Sequence, residues 1–175
     1  MPLSGKKPMK VLVTGTSDGL GKAVAELLLK QGHAVVGVSR SEVTFDSENY
    51  VHKTCDLSSE QDVTALLAYL DEHPYFDGLV NNAAQFLKSN FCDTDGPSLQ
   101  AMFYTNVTVP YLLISTLCKA AERKRSFVNI SSLAGIPERE KFPGFSAYSM
   151  AKAALCTMTQ ALAPEIKALG NGSRI

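Results

Sequence analysis

The sequence lacks an excess of charge of either sign: 17 Lys and Arg stand against 17 Asp and Glu in 175 residues. That removes the electrostatic footprint of a nucleic-acid or anionic-membrane binder. Cysteine in metal-ligand or redox-pair spacing is missing too, because Cys55, Cys92, Cys118 and Cys156 are widely scattered. They read as free, mostly buried thiols of a reducing, cytoplasmic compartment, and no metal site is expected. No signal peptide is expected, since Lys6, Lys7 and Lys10 lead straight into a strand without an apolar h-region. The uncharged stretch Gly96–Cys118 contains Ser98, Gln100, Thr105, Asn106 and Pro110, too many polar groups for hydrocarbon. A buried helix of a globular domain is the better account, and no membrane partner is expected. The sequons at Asn106, Asn129 and Asn171 then read as chance. Repeats, low-complexity stretches and linkers are absent as well.

What is present is 45% hydrophobic and 19% charged, an ordinary composition for one domain spanning 1–175. Short β-branched runs alternate with helical patterns. Strands are expected at 10–14, 33–39, 50–54, 76–81 and 126–130. Helices are expected at 20–31, from 58 to about 73, at 98–123 and from 146 onward. Gly32 sits where a left-handed cap ends the first helix. Ser58 with Gln61 makes a capping box, and the helix it opens has an apolar stripe of Val63, Leu66, Leu67 and Leu70. His73-Pro74 stops it. Apolar strands alternating with helices predict an α/β fold, a doubly wound parallel sheet with helices on both faces. Ligands in such a sheet bind at the carboxyl ends of the strands.

Several motifs fall on those ends. Thr14-Gly15-Thr16-Ser17-Asp18-Gly19-Leu20-Gly21 joins the first strand to the first helix. Its glycines permit a tight turn and close backbone approach to a pyrophosphate seated on the helix N-terminus. A glycine turn needed only for packing is the other reading. Ser39, Arg40 and Ser41 follow the second strand, and Arg there suits the 2′-phosphate of NADP better than the 2′-hydroxyl of NAD. A solvated loop arginine is the plain alternative, and Glu42 stands nearby. Asp56-Leu57 and Asn81-Asn82-Ala83-Ala84 follow the third and fourth strands. Asp56 could equally cap a helix, and the asparagines could merely form a turn.

Tyr148 and Lys152 share one helical face, a turn apart. A phenol titrates near ~10 in model peptides, and a neighbouring ammonium stabilises its phenolate. An isolated Tyr-x-x-x-Lys is usually a surface pair. Ser132, at the end of the fifth strand and so on the rim that carries the glycine loop, reverses the odds.

Taken together, the chain resembles the short-chain dehydrogenase/reductase family. The resemblance runs from about Val11 to the end through TGTSDGLG, Asp56-Leu57, NNAA, Asn106, NISS (Asn129–Ser132) and YSMAK (Tyr148–Lys152), in the family's order. It implies a three-layer Rossmann fold and hydride transfer between NADP, or less readily NAD, and a carbonyl or secondary alcohol. It also implies roles for particular residues. Tyr148 would be the general acid or base, Lys152 would tune it and hold the nicotinamide ribose, and Ser132 would polarise the substrate oxygen. Asn106 would support a proton-relay water. The cofactor would lie along Thr14–Ser17, Gly19–Gly21, Ser39–Ser41, Asp56, Leu57 and Asn82–Ala84, reaching Tyr148 and Lys152.

Departures from the family pattern are Ala84 for Gly, Asp18 inside the glycine loop, and the charged insert Glu138–Lys141. Pro164 lies inside the last helix and is expected to kink it. Family members need roughly 250 residues, so the last strands are expected to be missing and the fifth strand to be a bare edge. Two functions follow as expectations: an NADP-dependent carbonyl reductase or alcohol dehydrogenase, or a non-catalytic form that binds nucleotide weakly or pairs with a full-length partner. Homodimers or homotetramers through the helices around Asn106 and Tyr148 are expected as in the family.

Overall fold

In a computed structural model the described residues are 7–119 and 122–175. Lys6 lies outside them, as do positions 120 and 121 of the helix expected to reach Arg123. Five parallel strands make one sheet: β1 (Lys10–Thr14), β2 (Ala34–Ser39), β3 (Tyr50–Thr54), β4 (Gly78–Asn81) and β5 (Ser126–Asn129). Their spatial order is β3-β2-β1-β4-β5. Register is fixed by pairs such as Val11 with Val35 and Leu12 with Leu79. Between β1 and β4 the order reverses direction. The carboxyl ends of those two strands therefore flank the crevice where such sheets bind ligands.

The helices are α1 (Gly19–Lys30), α2 (Glu60–Glu72), α3 (Gly96–Phe103), α4 (Val109–Lys119) and α5 (Ser146–Ala168). Alternate residues of β1 point to opposite faces. Leu12 joins Leu66 and Leu70 of α2, Leu113 and Leu117 of α4 and Ile166 of α5 in the main core. Val11 and Val13 pack with Ala25 of α1 in a smaller one. Three helices thus cover one face and α1 the other, the arrangement that right-handed crossovers impose. On the α1 side the cover does not extend to β5, where Val128 is 47% exposed. The first residues of β5 are paired beyond the sheet, since Phe127 N donates to Arg174 O and Arg174 N to Arg125 O.

Local chemistry explains most boundaries. Gly32 has φ +81°, and Gly32 N and His33 N donate to Leu29 O and Leu28 O, closing α1 with a Schellman motif. The cap of α2 differs from expectation. Ser59, not Ser58, accepts from Asp62 N, while Ser58 is turned toward Asp56. The long central helix is not uniform: a π-helical segment, Tyr104–Thr108, separates α3 from α4. Gly96–Lys119 is apolar and long enough to cross a bilayer, yet half of its most apolar window is buried inside the fold. α5 is continuous from Ser146 to Ala168, with Pro164 inside it. Of the four free thiols only Cys55 is buried, and Cys92 is exposed.

Candidate active site

The cleft at the switch point opens beside a tight glycine turn. After β1, Gly15 takes φ +74° and donates its N–H to Val38 O on β2, 2.7 Å away. A Cβ on Gly15 would lie 2.8 Å from Asn82 Nδ2, and one on Gly21 only 2.1 Å from Gly15 O. Both positions therefore require glycine. Thr14 Oγ1 accepts from Asn82 N and Ala83 N, and Asn82 Nδ2 donates to Thr14 O and Gly15 O. These bonds clamp the β4 end to the glycine loop. Asn82 is a tie between two strands rather than a mere turn-former.

A cleft of about 540 Å³ opens beyond this clamp, within the range of small-molecule sites. Of the expected cofactor residues, Gly15, Ser17, Ser39, Arg40, Asp56, Leu57 and Asn82–Ala84 line it. Thr14 and Thr16 are buried beneath, with Thr16 Oγ1 hydrogen-bonded to Tyr50 Oη at 3.4 Å. Gly21 acts through packing, Ser41 accepts from Ser39 Oγ through its carbonyl, and Leu20 is exposed. Asp18 caps α1 by accepting from Gly19 N at 2.7 Å, so the acidic residue of the loop has a helix to hold.

Asp56 does not cap α2. Its carboxylate accepts from Ser58 N and Ser58 Oγ, which hold its pKa below the usual carboxylate value, with a further contribution from the Arg40 charge. Five further cleft residues escaped the motif reading: Cys55, Ser58, Gln85, Phe86 and Thr105. Burial pushes the Cys55 thiol up to about 11, beside Asp62 and Asp56. Gln85 and Thr105 are joined through their side chains at 3.3 Å. A contact between loop 82–86 and the middle of a distant helix leaves no trace in a linear pattern.

The second half of the site is carried by α5. Lys152 is 2% exposed, and its Nζ donates to Ile130 O just beyond β5 at 2.8 Å. Desolvation lowers its pKa from the lysine norm, opposed by Cys156. The ammonium lies 5.8 Å from the Tyr148 ring centroid, so the two face each other as the four-residue spacing implies. Ser132 caps the short 3-10 turn Leu133–Gly135 by accepting from Ala134 N. A Cβ on Gly135 would fall 2.7 Å from the Lys152 carbonyl carbon, so only glycine lets that turn rest on α5. Ser131 Oγ donates to Lys152 O, and Cys156 Sγ donates to Ser131 Oγ. Neither Ser131 nor Gly135 was legible as a support of Lys152.

The Asn106 side chain accepts from Gln85 N and donates to Gln85 O, which locks the π-helical segment to loop 82–86. On the opposite side of α5 from Tyr148 and Lys152, a second cavity of about 820 Å³ is lined by Phe91, Pro137, Met150 and Ala153 among others. No group of three or more His, Cys, Asp or Glu suited to a metal ion occurs among the described residues.

A parallel sheet with a glycine-cradled cleft at its switch point defines a dinucleotide-binding α/β domain of the Rossmann type. The family model for short chain dehydrogenases matches residues 9–170, and the chain belongs to that family. It is 31% identical over 174 residues to the uncharacterized oxidoreductase YvrD of Bacillus subtilis, covering 92% of this chain and 64% of that protein. A short-chain dehydrogenase structure from Streptomyces avermitilis superposes with a TM-score of 0.82 at 30% identity, over 94% of this chain and 62% of that one. Another short chain dehydrogenase/reductase family structure gives 0.83 at 33% identity, over the whole of this chain and 73% of that one. The chain thus spans less than two thirds of the length of the first two proteins.

Proposed function

We propose that the protein is an NADP(H)-dependent oxidoreductase that interconverts a carbonyl compound and a secondary alcohol. The observation that carries this is the placement of Tyr148 and the buried Lys152 together on α5, with Lys152 bonded to the main chain just after β5. The residues present fit a nicotinamide dinucleotide: Gly15 and Ser17 border the cleft without bulk, and the cleft extends past Arg40 and Asp56 toward Phe86. When bound, that cofactor supplies or accepts the hydride.

The chain's own residues do the rest. Gly15, Ser17 and the N-terminus of α1 hold the phosphates. Asp56 and Leu57, which line the cleft, would border the nucleotide, and Arg40 would pair with the 2′-phosphate that distinguishes NADP. Ser132 donates to the substrate oxygen and fixes its position. Tyr148 gives its proton to that oxygen during reduction and takes it back during oxidation. Lys152 keeps a cation against the Tyr148 ring and offers donors to the nicotinamide ribose, while Ser131 and Gly135 keep its backbone in place. Asn106 secures the loop that carries Ala84 and Gln85.

Lys152 also sets an expected pH limit. Its pKa is lowered in the fold, so the cation is lost below the 10.5 of a free lysine. Turnover should fall on the alkaline side before pH 10.5, and Lys152→Arg should move that limb upward. We further propose self-association through the α5 surface that bears Met150 and Ala153, and a cytoplasmic setting compatible with four free thiols. Light scattering tests the first, and a stable monomer would contradict it. The activity is tested by mixing the protein with NADPH and a panel of aldehydes and ketones. Loss of the 340-nm absorbance (the reduced nicotinamide band) is expected from the wild type and not from Tyr148→Phe; equal rates would refute the assignment.

A further inference from the structure

We propose that Phe86 and Phe145 form an aromatic wall beside Tyr148 that selects aryl carbonyl compounds, with the ring attached directly to the carbonyl carbon. This rests on the oxidoreductase reading above and names its substrate class. The Phe86 ring stands edge-on to Tyr148, with centroids 5.1 Å apart and an interplanar angle of 82°. Phe145, three residues before Tyr148, lies 5.2 Å from Phe86 at 55°. Phe142 continues the row 6.2 Å from Phe145. All three spacings fall in the 4.5–7 Å window of favourable ring pairs.

The wall is held from behind rather than floating on a loop. Gln85, just before Phe86, is pinned at both its N–H and its carbonyl by Asn106. Tyr148 packs at the margin of a core made by Met102, Ala147 and Ala151. Phe86 is nonetheless 54% exposed and lines the cleft. A phenyl ring that packs against Tyr148 and Phe145 and keeps about half of its surface open is a docking surface for another flat ring. The site's polarity agrees: Lys88 Nζ stands 6.0 Å from the Phe145 centroid, and no carboxylate forms part of the row. With the aryl group against Phe86, the carbonyl oxygen reaches toward Tyr148. In the reductive direction the carbonyl π bond breaks, the carbon gains the hydride from the reduced dinucleotide and the oxygen gains the Tyr148 proton. The ketone is thereby reduced by two electrons and the dinucleotide oxidised.

One added aromatic pair is worth roughly a factor of two to twelve in equilibrium, and two rings flank the ligand here, so a preference of about tenfold is expected. The test compares acetophenone with cyclohexyl methyl ketone, its saturated counterpart, as substrates with NADPH in the wild type, Phe86→Leu and Phe86→Leu/Phe145→Leu. The expected result is kcat/KM about tenfold higher for acetophenone in the wild type, falling toward parity in the variants while circular dichroism stays unchanged. Parity in the wild type, or a preference that survives the double variant, overturns the proposal. If neither ketone consumes NADPH, the oxidoreductase reading fails and the wall is decided separately by saturation-transfer NMR with acetophenone. Transfer to its ring protons that is lost in Phe86→Leu supports the wall, and no transfer to the wild type overturns it.

Discussion

The two halves of the candidate site are built in opposite ways. Beside the cleft between β1 and β4, backbone sets the shape: Gly15 and Gly21 leave no room for a side chain, and Thr14 accepts from the amides of Asn82 and Ala83. On α5 and just after β5 it is side chains, Tyr148 and the buried Lys152 with Ser132, next to the Phe86 ring that lines the cleft. The first half presents a shape that suits phosphates and ribose whatever reaction follows. The second sets a phenol beside a buried cation and exposed aromatic rings, the groups on which the proposed proton transfer rests. Binding and chemistry are thus separable by mutation, and each variant below sharpens or breaks that division.

The largest effect is expected at Gly21. Its Cβ would meet Gly15 O at 2.1 Å, a backbone atom that cannot step aside. Gly21→Val should cost about 3 kcal/mol or more, at the upper end for overpacking, and lower Tm by roughly 6–12 °C in thermal melts while abolishing NADPH binding. Tyr148→Phe belongs to the other half: turnover should fall by about 10²–10⁴, with NADPH affinity, measured calorimetrically, close to that of the wild type. A matching loss of binding would break the division.

Arg40→Ala should be smaller and selective. One exposed charge-assisted contact removed corresponds to about tenfold weaker NADPH binding with NADH nearly unchanged, read by competitive titration. The smallest effect is at Asp56, whose pKa is held down by Ser58 and the Arg40 charge. A depressed carboxylate contributes stability that is present above its unfolded value of 3.8 and is lost as pH falls through the lower folded value. Asp56→Asn should flatten that acid limb of the stability curve without moving the rest.

The backbone half was largely legible in the sequence, because glycine spacing between a strand and a helix carries its own geometry. Gly32 announced the end of α1, and the five strands fell within a few residues of their expected positions. The Tyr148–Lys152 contact was legible for a similar reason, since a four-residue spacing fixes one helical face. Supports made by packing between distant segments were not. Gly135 against Lys152, Asn106 against Gln85 and the Phe86–Tyr148 contact join residues 17 to 62 positions apart, and no local pattern encodes them. Ser59 displaced Ser58 as the α2 cap because Asp56 claims Ser58 for its own turn. The π-helical segment was hidden inside an apolar run that reads as plain helix.

The most direct test measures NADPH binding and carbonyl-dependent NADPH oxidation side by side in the wild type and Tyr148→Phe. Both proteins are expected to bind NADPH with similar affinity, and only the wild type to turn it over. Equal turnover, or a wild type that does not bind NADPH, would contradict the proposed function.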